Sequence, residues 1–155
     1  MTEETREFKP LVDLGALPLT EESELKFYVD EYRGYKYGSI RTFVKRPNYS
    51  GPTKAGITLN LQTLDGVIES LSKQPAEPES LEDKELARLP RKAGITLVVR
   101  VTIFKDTTGI DLREWVEDPT YTGWSKKGVR IPYADLPKAV AFLKEMRTTL
   151  GKAAA

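Results

Sequence analysis

Ile40-Arg-Thr-Phe-Val-Lys-Arg-Pro-Asn-Tyr-Ser-Gly-Pro-Thr-Lys-Ala-Gly-Ile57 is matched, 72 residues further on, by Leu112-Arg-Glu-Trp-Val-Glu-Asp-Pro-Thr-Tyr-Thr-Gly-Trp-Ser-Lys-Lys-Gly-Val129. Extended outward, the register holds without a gap from Leu25/Leu97 to Leu71/Leu143, with 11 identities over 47 positions. Val29/Val101, Arg41/Arg113, Val44/Val116, Pro47/Pro119, Tyr49/Tyr121, Gly51/Gly123, Lys54/Lys126, Gly56/Gly128 and Leu64/Leu136 are among the identical pairs. Conservative pairs such as Tyr32/Phe104, Arg33/Lys105, Phe43/Trp115 and Ile68/Val140 lie between them. Shared proline and glycine punctuation in one register is the mark of a duplicated unit. Lys-Ala-Gly-Ile-Thr-Leu occurs at 54–59 and again at 92–97, but at another offset and without extension, so it reads as local convergence.

Within the second copy, Leu97-Val-Val-Arg-Val-Thr-Ile-Phe104 is rich in β-branched residues and runs into Lys105-Asp-Thr-Thr-Gly109, which predicts a strand and a turn. Ile110-Asp-Leu-Arg-Glu-Trp-Val-Glu117 alternates apolar with polar, the period of a half-buried strand. Asp118-Pro119 and Gly123 predict a loop, and Lys126-Lys-Gly-Val-Arg-Ile131 a third strand. Ala139, Val140, Phe142, Leu143 and Met146 then form a helical stripe over 138–146, with Pro137 in its first turn and Asp135 as its cap. The first copy predicts strands near 25–33, 36–46 and 54–61 and a helix over 63–72 opening at Thr63. A short edge strand is expected around Phe8–Leu14.

The expected organisation is therefore an acidic N-terminal segment (1–24), a first repeat (25–73), an acidic linker (74–90), a second repeat (91–150) and a tail (151–155). A unit of about 50 residues buries little core by itself, so the two must pack together. The expected fold is α+β: two tandem β-β-β(-β)-α repeats with curved antiparallel sheets, packed as an intrachain pseudo-twofold dimer.

Composition narrows the chemistry. With 39% hydrophobic and 30% charged residues the chain reads as globular, and no run of about 18 apolar residues suggests a membrane span. Its first residues, Met1-Thr-Glu-Glu-Thr-Arg-Glu7, lack the apolar core of a secretory signal, so an intracellular setting (cytoplasm, nucleoid or nucleus) is expected. There is no cysteine and no histidine, which removes disulfides, thiolate metal sites, Ser-His-Asp triads and histidine bases. Asp111, Glu117 and Asp118 cluster in sequence, yet the first copy has Ser39, Lys45 and Arg46 there, so no duplicated catalytic site is expected. Neither enzyme activity nor a cofactor or metal is expected.

The net charge of +1 conceals strong local imbalance. Residues 1–24 hold two basic and seven acidic side chains, net −5, and residues 72–90 three and five, net −2. Residues 25–71 hold seven basic and four acidic, net +3, and residues 91–150 eleven and seven, net +4. Two basic units thus alternate with acidic segments. Strand alternation sets Arg113 beside Trp115 on one face, and Arg41 beside Phe43 in the first copy. Tyr32-Arg33 and Phe104-Lys105 stand at the first hairpins, and Lys54 and Lys126-Lys127 enter the third strands. Cations interleaved with aromatics suit single-stranded nucleic acid, whose phosphates need neutralising and whose unpaired bases offer faces to stack on.

Each residue also has a plainer reading. Tyr32 and Phe104 read equally as core aromatics, and Phe43 and Trp115 as packed side chains. The strand arginines read as surface residues paired with Glu114 or Asp111, and Lys126-Lys127 as a solvated pair. The Tyr49/Tyr121 and Gly51/Gly123 pairs read as loop-shaping. Recurrence at a fixed offset is what sets the group apart.

Ile110-Asp-Leu-Arg-Glu-Trp115, Asp118-Pro119 and Lys126-Lys-Gly-Val129, taken in order, resemble the positive cofactor 4 family of transcriptional coactivators, which bind single-stranded DNA. Tyr32-Arg33-Gly34, Ile40-Arg41-Thr42-Phe43 and Lys54-Ala55-Gly56-Ile57 are a degenerate version, so the resemblance covers about 50 residues of each half. It implies a homodimer-like pair of sheets, here fused in one chain, forming a basic, aromatic-lined groove. It also implies that Phe104, Lys105, Arg113, Lys126 and Lys127 contact DNA, with Tyr32, Arg33, Arg41 and Lys54 as first-half counterparts. The pattern departs at Asp106, where the family has glycine, and at Val44 and Val116, where it often has a second aromatic. Thr107 and Tyr35 replace a hairpin lysine, Ala55 one of the basic pair, and Leu64 and Leu136 a helix tryptophan. The expected partner is single-stranded DNA, with RNA as the alternative and a retained-fold protein-interaction module as a third reading. Transcription or replication proteins are further expected partners, in transcription regulation, replication or repair. No membrane partner is expected, and the fused chain is expected to be a monomer.

Overall fold

The computed structural model describes residues 4–5, 9–78 and 82–154. Two-residue turns set its hairpins. Arg33 and Gly34 (φ 50° and 85°) join strand β3 (Ser23–Tyr32) to β4 (Tyr35–Arg46), and Lys105 and Asp106 (φ 50° and 62°) join β7 (Ile95–Phe104) to β8 (Thr107–Asp118). Two successive left-handed residues give the turn whose twist matches that of the flanking strands. Asp106 fills the glycine position because aspartate tolerates this conformation better than most side chains.

Each hairpin is extended on both sides. β2 (Val12–Thr20) pairs antiparallel with β3, and β5 (Tyr49–Leu59) with β4. In the second copy β6 (Lys84–Lys92) pairs with β7 and β9 (Tyr121–Pro132) with β8. A two-residue strand β1 (Glu4–Thr5) adds to β5 in parallel, giving sheet orders β1-β5-β4-β3-β2 and β6-β7-β8-β9. Helices α1 (Leu61–Ser72) and α2 (Leu136–Ala154) follow, the latter through a 3-10 turn at Tyr133–Asp135. The fold is thus α+β, a tandem repeat of four strands and a helix.

The 72-residue offset holds for every boundary from β2/β6 to β4/β8. It also holds for the bulges, which fall between Asp13/Gly15 and Glu85/Ala87, Pro18/Thr20 and Pro90/Lys92, and Arg41/Phe43 and Arg113/Trp115. Residues 84–90, expected in the linker, are therefore the first strand of the second repeat, with Leu86, Leu89 and Pro90 answering Leu14, Leu17 and Pro18. The acidic charge that suggested a linker sits largely before this strand. Likewise the expected strand at Phe8–Leu14 lies later, at Val12–Thr20, with Phe8 itself outside the described residues. Pro18 and Pro90 stand on outer edge strands, where a missing backbone N–H interrupts no ladder and discourages a further strand.

Helix α1 begins two residues before Thr63. Asn60 is its cap, receiving the Thr63 N–H on Oδ1 at 2.9 Å while its own N–H donates to Thr63 Oγ1 at 3.1 Å. Asp135 lies within the 3-10 turn, and its expected role as cap of a helix at 138 is replaced by continuous winding from Tyr133.

The helices pack crosswise. α2 lies against β2, β3 and β4 of the first sheet, while α1 lies against β6 and β7 of the second. Phe142 meets Phe27 with ring centroids 5.1 Å apart, and Gly38 leaves room for Met146. On the other side Gly66 of α1 admits the Leu89 side chain. The helices also touch each other, with Arg147 donating to Asp65 at 2.6 Å. One continuous core results, from Leu25, Phe27 and Ile40 to Leu97, Ile110 and Leu143. Where the two sheets meet, β5 lies beside β9. Among the described residues no helix covers the outer face of either sheet.

Candidate nucleic-acid interface

The outer face of each sheet is built by strand alternation. Lys26 stands opposite Arg41 and Tyr28 opposite Ser39 on the first; Val98 stands opposite Arg113 and Arg100 opposite Asp111 on the second. Arg41 and Arg113 each lie across a glycine on the neighbouring strand, Gly56 and Gly128. A Cβ on Gly56 would fall 2.6 Å from Arg41 Cζ, and one on Gly128 2.8 Å from Arg113 Cζ. The duplicated Arg/Gly pairs are therefore one device: a bare strip of backbone on which a guanidinium rests. The Tyr49/Tyr121 and Gly51/Gly123 pairs are another. Each tyrosine hydroxyl donates back to a carbonyl three residues on, to Pro52 at 2.6 Å and to Trp124 at 2.7 Å. The chain bends there at a glycine with positive φ, 146° and 155°.

Four of the nine expected contact residues come together. Arg41, Lys54, Lys126 and Lys127 line one cleft of about 390 Å³ at the junction of β5 and β9, with Gly56, Ile57, Thr58 and Glu114 completing its wall. Glu114 is nearly buried and paired to Arg91 at 3.4 Å, and Arg91 also donates to Thr58 O at 2.6 Å. Among the described residues none of the four cations has a carboxylate partner; Arg41 donates to Thr53 O at 2.8 Å. The cleft therefore presents a cationic wall that a polyanion can reach.

Tyr32-Arg33 and Phe104-Lys105 lie elsewhere, at the two hairpin tips. Six residues of strand separate Tyr32 from the Lys26–Arg41 level, roughly 20 Å at about 3.3 Å per residue. Tyr32 and Phe104 are 61% and 62% exposed, so neither is a core aromatic. Arg33 and Lys105 fold over their own neighbours' rings at 5.2 and 5.4 Å.

The last of the nine, Arg113, and the strand aromatics separate the halves. Arg113 donates to Asp111 at 3.3 Å, matching the plainer reading of a paired strand arginine. Phe43 is 7% exposed, with Tyr28 edge-on at 6.2 Å and Lys26 over its ring at 4.9 Å, so it is packed. Trp115 is half-buried against Trp124, with centroids 4.9 Å apart, and its indole N–H donates to Glu117 at 3.0 Å.

Three outer-face residues of the second sheet were not anticipated: Arg100, Trp124 and Arg130. Arg100 lies 4.3 Å over the Trp124 ring and donates to Asp111 at 3.4 Å. Arg130 is held at the hairpin by Thr102 Oγ1 and the carbonyls of Thr102 and Thr107. A lone arginine in Leu97-Val-Val-Arg-Val101 was the available signal for Arg100, whose alternation partner is Thr102. Trp124 was hidden because β9 begins at Tyr121, five residues before its expected start.

Among the described residues two ionisable groups are clearly shifted. Asp118 at the β8–β9 turn is held below the usual carboxylate range, first by the Thr120 hydroxyl, then by the N–H groups of Thr120 and Tyr121. Burial, then the nearby Asp30 carboxylate, raises the Tyr37 phenol. Among the described residues no group of acidic side chains could hold a metal, and no helix is long and apolar enough to cross a membrane.

No family model and no curated protein matches the chain. Among solved structures it is similar to WHY3 from Arabidopsis thaliana, at 9% identity and a TM-score of 0.46, over 93% of this chain and 90% of that one.

Proposed function

We propose that the chain binds single-stranded nucleic acid, DNA before RNA, across the outer faces of its two sheets and without catalysing a reaction. The observation that carries this reading is the cleft where Arg41 and Lys54 of one repeat meet Lys126 and Lys127 of the other, its one carboxylate already neutralised by Arg91. Four cations in one concave site favour a polyanion, and exposed aromatics at Tyr32 and Phe104 add surfaces for unpaired bases. A duplex keeps its bases stacked inside, so it gains only the cations. The positive cofactor 4 resemblance supports the same reading and suggests a role in transcription, replication or repair. It also suggests a monomeric chain doing the work of a dimer.

The test is fluorescence anisotropy of a labelled mixed-sequence single strand of about 20 nucleotides, competed with duplex DNA and with RNA at two salt concentrations. Salt-sensitive binding that duplex fails to displace supports the reading, and the RNA arm decides between the two single strands. One observation favours a different reading: Arg113 tied to Asp111 is what a fold reused for protein contact would show. Absence of binding at low salt would transfer the assignment to that reading.

A further inference from the structure

Corresponding positions of the two outer faces carry different charge. In the first sheet the quartet is Lys26, Arg41, Tyr28 and Ser39; in the second it is Val98, Arg113, Arg100 and Asp111. Asp111 is 5% exposed and receives both arginines, Arg113 on Oδ1 at 3.3 Å and Arg100 on Oδ2 at 3.4 Å. Arg100 is further occupied by the Trp124 face at 4.3 Å. In the first sheet Ser39 stands at the same register and 2% exposed, and Arg41 has no carboxylate partner among the described residues. A phosphate approaching Arg113 must therefore compete with the carboxylate that holds this arginine, whereas the carboxylate lining Arg41's cleft, Glu114, is paired to Arg91.

We infer that Asp111 is a specificity-determining residue that makes the halves unequal, holding the second sheet's arginines away from phosphates. This rests on the nucleic-acid reading. Phosphate binding is concentrated in Arg41, Lys54, Lys126 and Lys127. The chain then has one cationic path for the phosphodiester backbone, where two identical halves would have two. Asp111 works through the two arginines and touches no ligand itself.

Exchange of the two register partners tests this. Asp111→Ser copies the first sheet, and Asp111→Asn keeps the shape while removing the charge. Each frees one or two arginines, so the slope of log affinity against log salt should steepen by about 0.7 to 1.4, near 0.7 per single-strand phosphate contact. Affinity at about 50 mM salt should rise on the same basis, by about eightfold for one freed arginine and about sixtyfold for two. Ser39→Asp should do the reverse, flattening the slope by about 0.7 as Arg41 is captured. Arg100 and Arg113 are 24% and 28% exposed, so water can reach them once Asp111 is replaced, and a thermal melt checks that the fold survives. If the Asp111 variants do not fold, Ser39→Asp decides alone. An unchanged slope in folded variants overturns the inference while leaving nucleic-acid binding intact. Failure of the unaltered chain to bind overturns the reading beneath it as well.

Discussion

Cutting the chain between its repeats should leave neither half able to fold as a monomer. α2 covers the sheet of the first repeat, so residues 1–78 made alone lose the helix that closes their core. Leu143, Met146 and Leu150 are buried on that helix. At about 1.5–3 kcal/mol for each large apolar side chain fully buried, their loss costs about 5–9 kcal/mol. Typical domain stability is about 5–15 kcal/mol in total, so the loss is of the size of the whole. The exposed partners Phe27, Ile40 and Leu25 on the first sheet add to it. The isolated half can recover cover only from the other half or from a second copy of itself. Circular dichroism melts and sedimentation of 1–78, of 79–155 and of their mixture test this. Each half alone should be unfolded or self-paired, and the mixture should regain one cooperative transition. A monomeric half with a cooperative melt would refute the argument that crossed helices bind the repeats into one folding unit.

Lys54→Ala with Lys126→Ala removes two cleft cations, and should weaken single-strand binding while making its salt slope shallower by about 1.4; anisotropy titrations at several salt concentrations measure it. Phe104→Ala should weaken binding by about 1–3 kcal/mol with the salt slope unchanged, because stacking on a base releases few counterions. Its melting temperature should hold, since the ring is largely exposed. Asp118 has a folded-state pKa below its ordinary value of 3.8, so its hydrogen bonds to Thr120 and Tyr121 stabilise the fold above that value and are lost as pH falls through the lowered one. Asp118→Ala should therefore melt earlier than the unaltered chain at pH near 7, and the difference should vanish in strong acid.

The repeat was legible because duplication leaves a trace that does not depend on periodicity. Leu25/Leu97 through Leu71/Leu143 located the central hairpins and both helices. What was lost lay at the outer strands. β2 and β6 share only a few identical residues, and β6 begins Lys84-Glu-Leu-Ala-Arg88, whose charge resembles a linker more than a strand. An outer edge strand buries one side only, so its alternation is weak. The candidate site was legible as a set of residue types and not as a place. Arg41, Lys54, Lys126 and Lys127 were found, but nothing in a linear pattern says that β5 and β9 lie side by side. The pairing of Arg113 with Asp111 was legible as its plainer reading, but only in part. Asp111 is two residues away on the same strand, yet the second arginine it holds comes from Arg100, eleven residues away across a hairpin.

The 73–83 segment between α1 and β6 also has a thermodynamic consequence. Two separate copies of such a unit would assemble by collision, and at low abundance they would part into fragments with open cores. Joined by so short a tether, each repeat sees its partner at an effective concentration of about millimolar, whatever the protein's level in solution. Pairing of the two repeats becomes independent of dilution. A single chain can also hold an asymmetry, such as Asp111 facing Ser39, that two identical copies related by symmetry could never express.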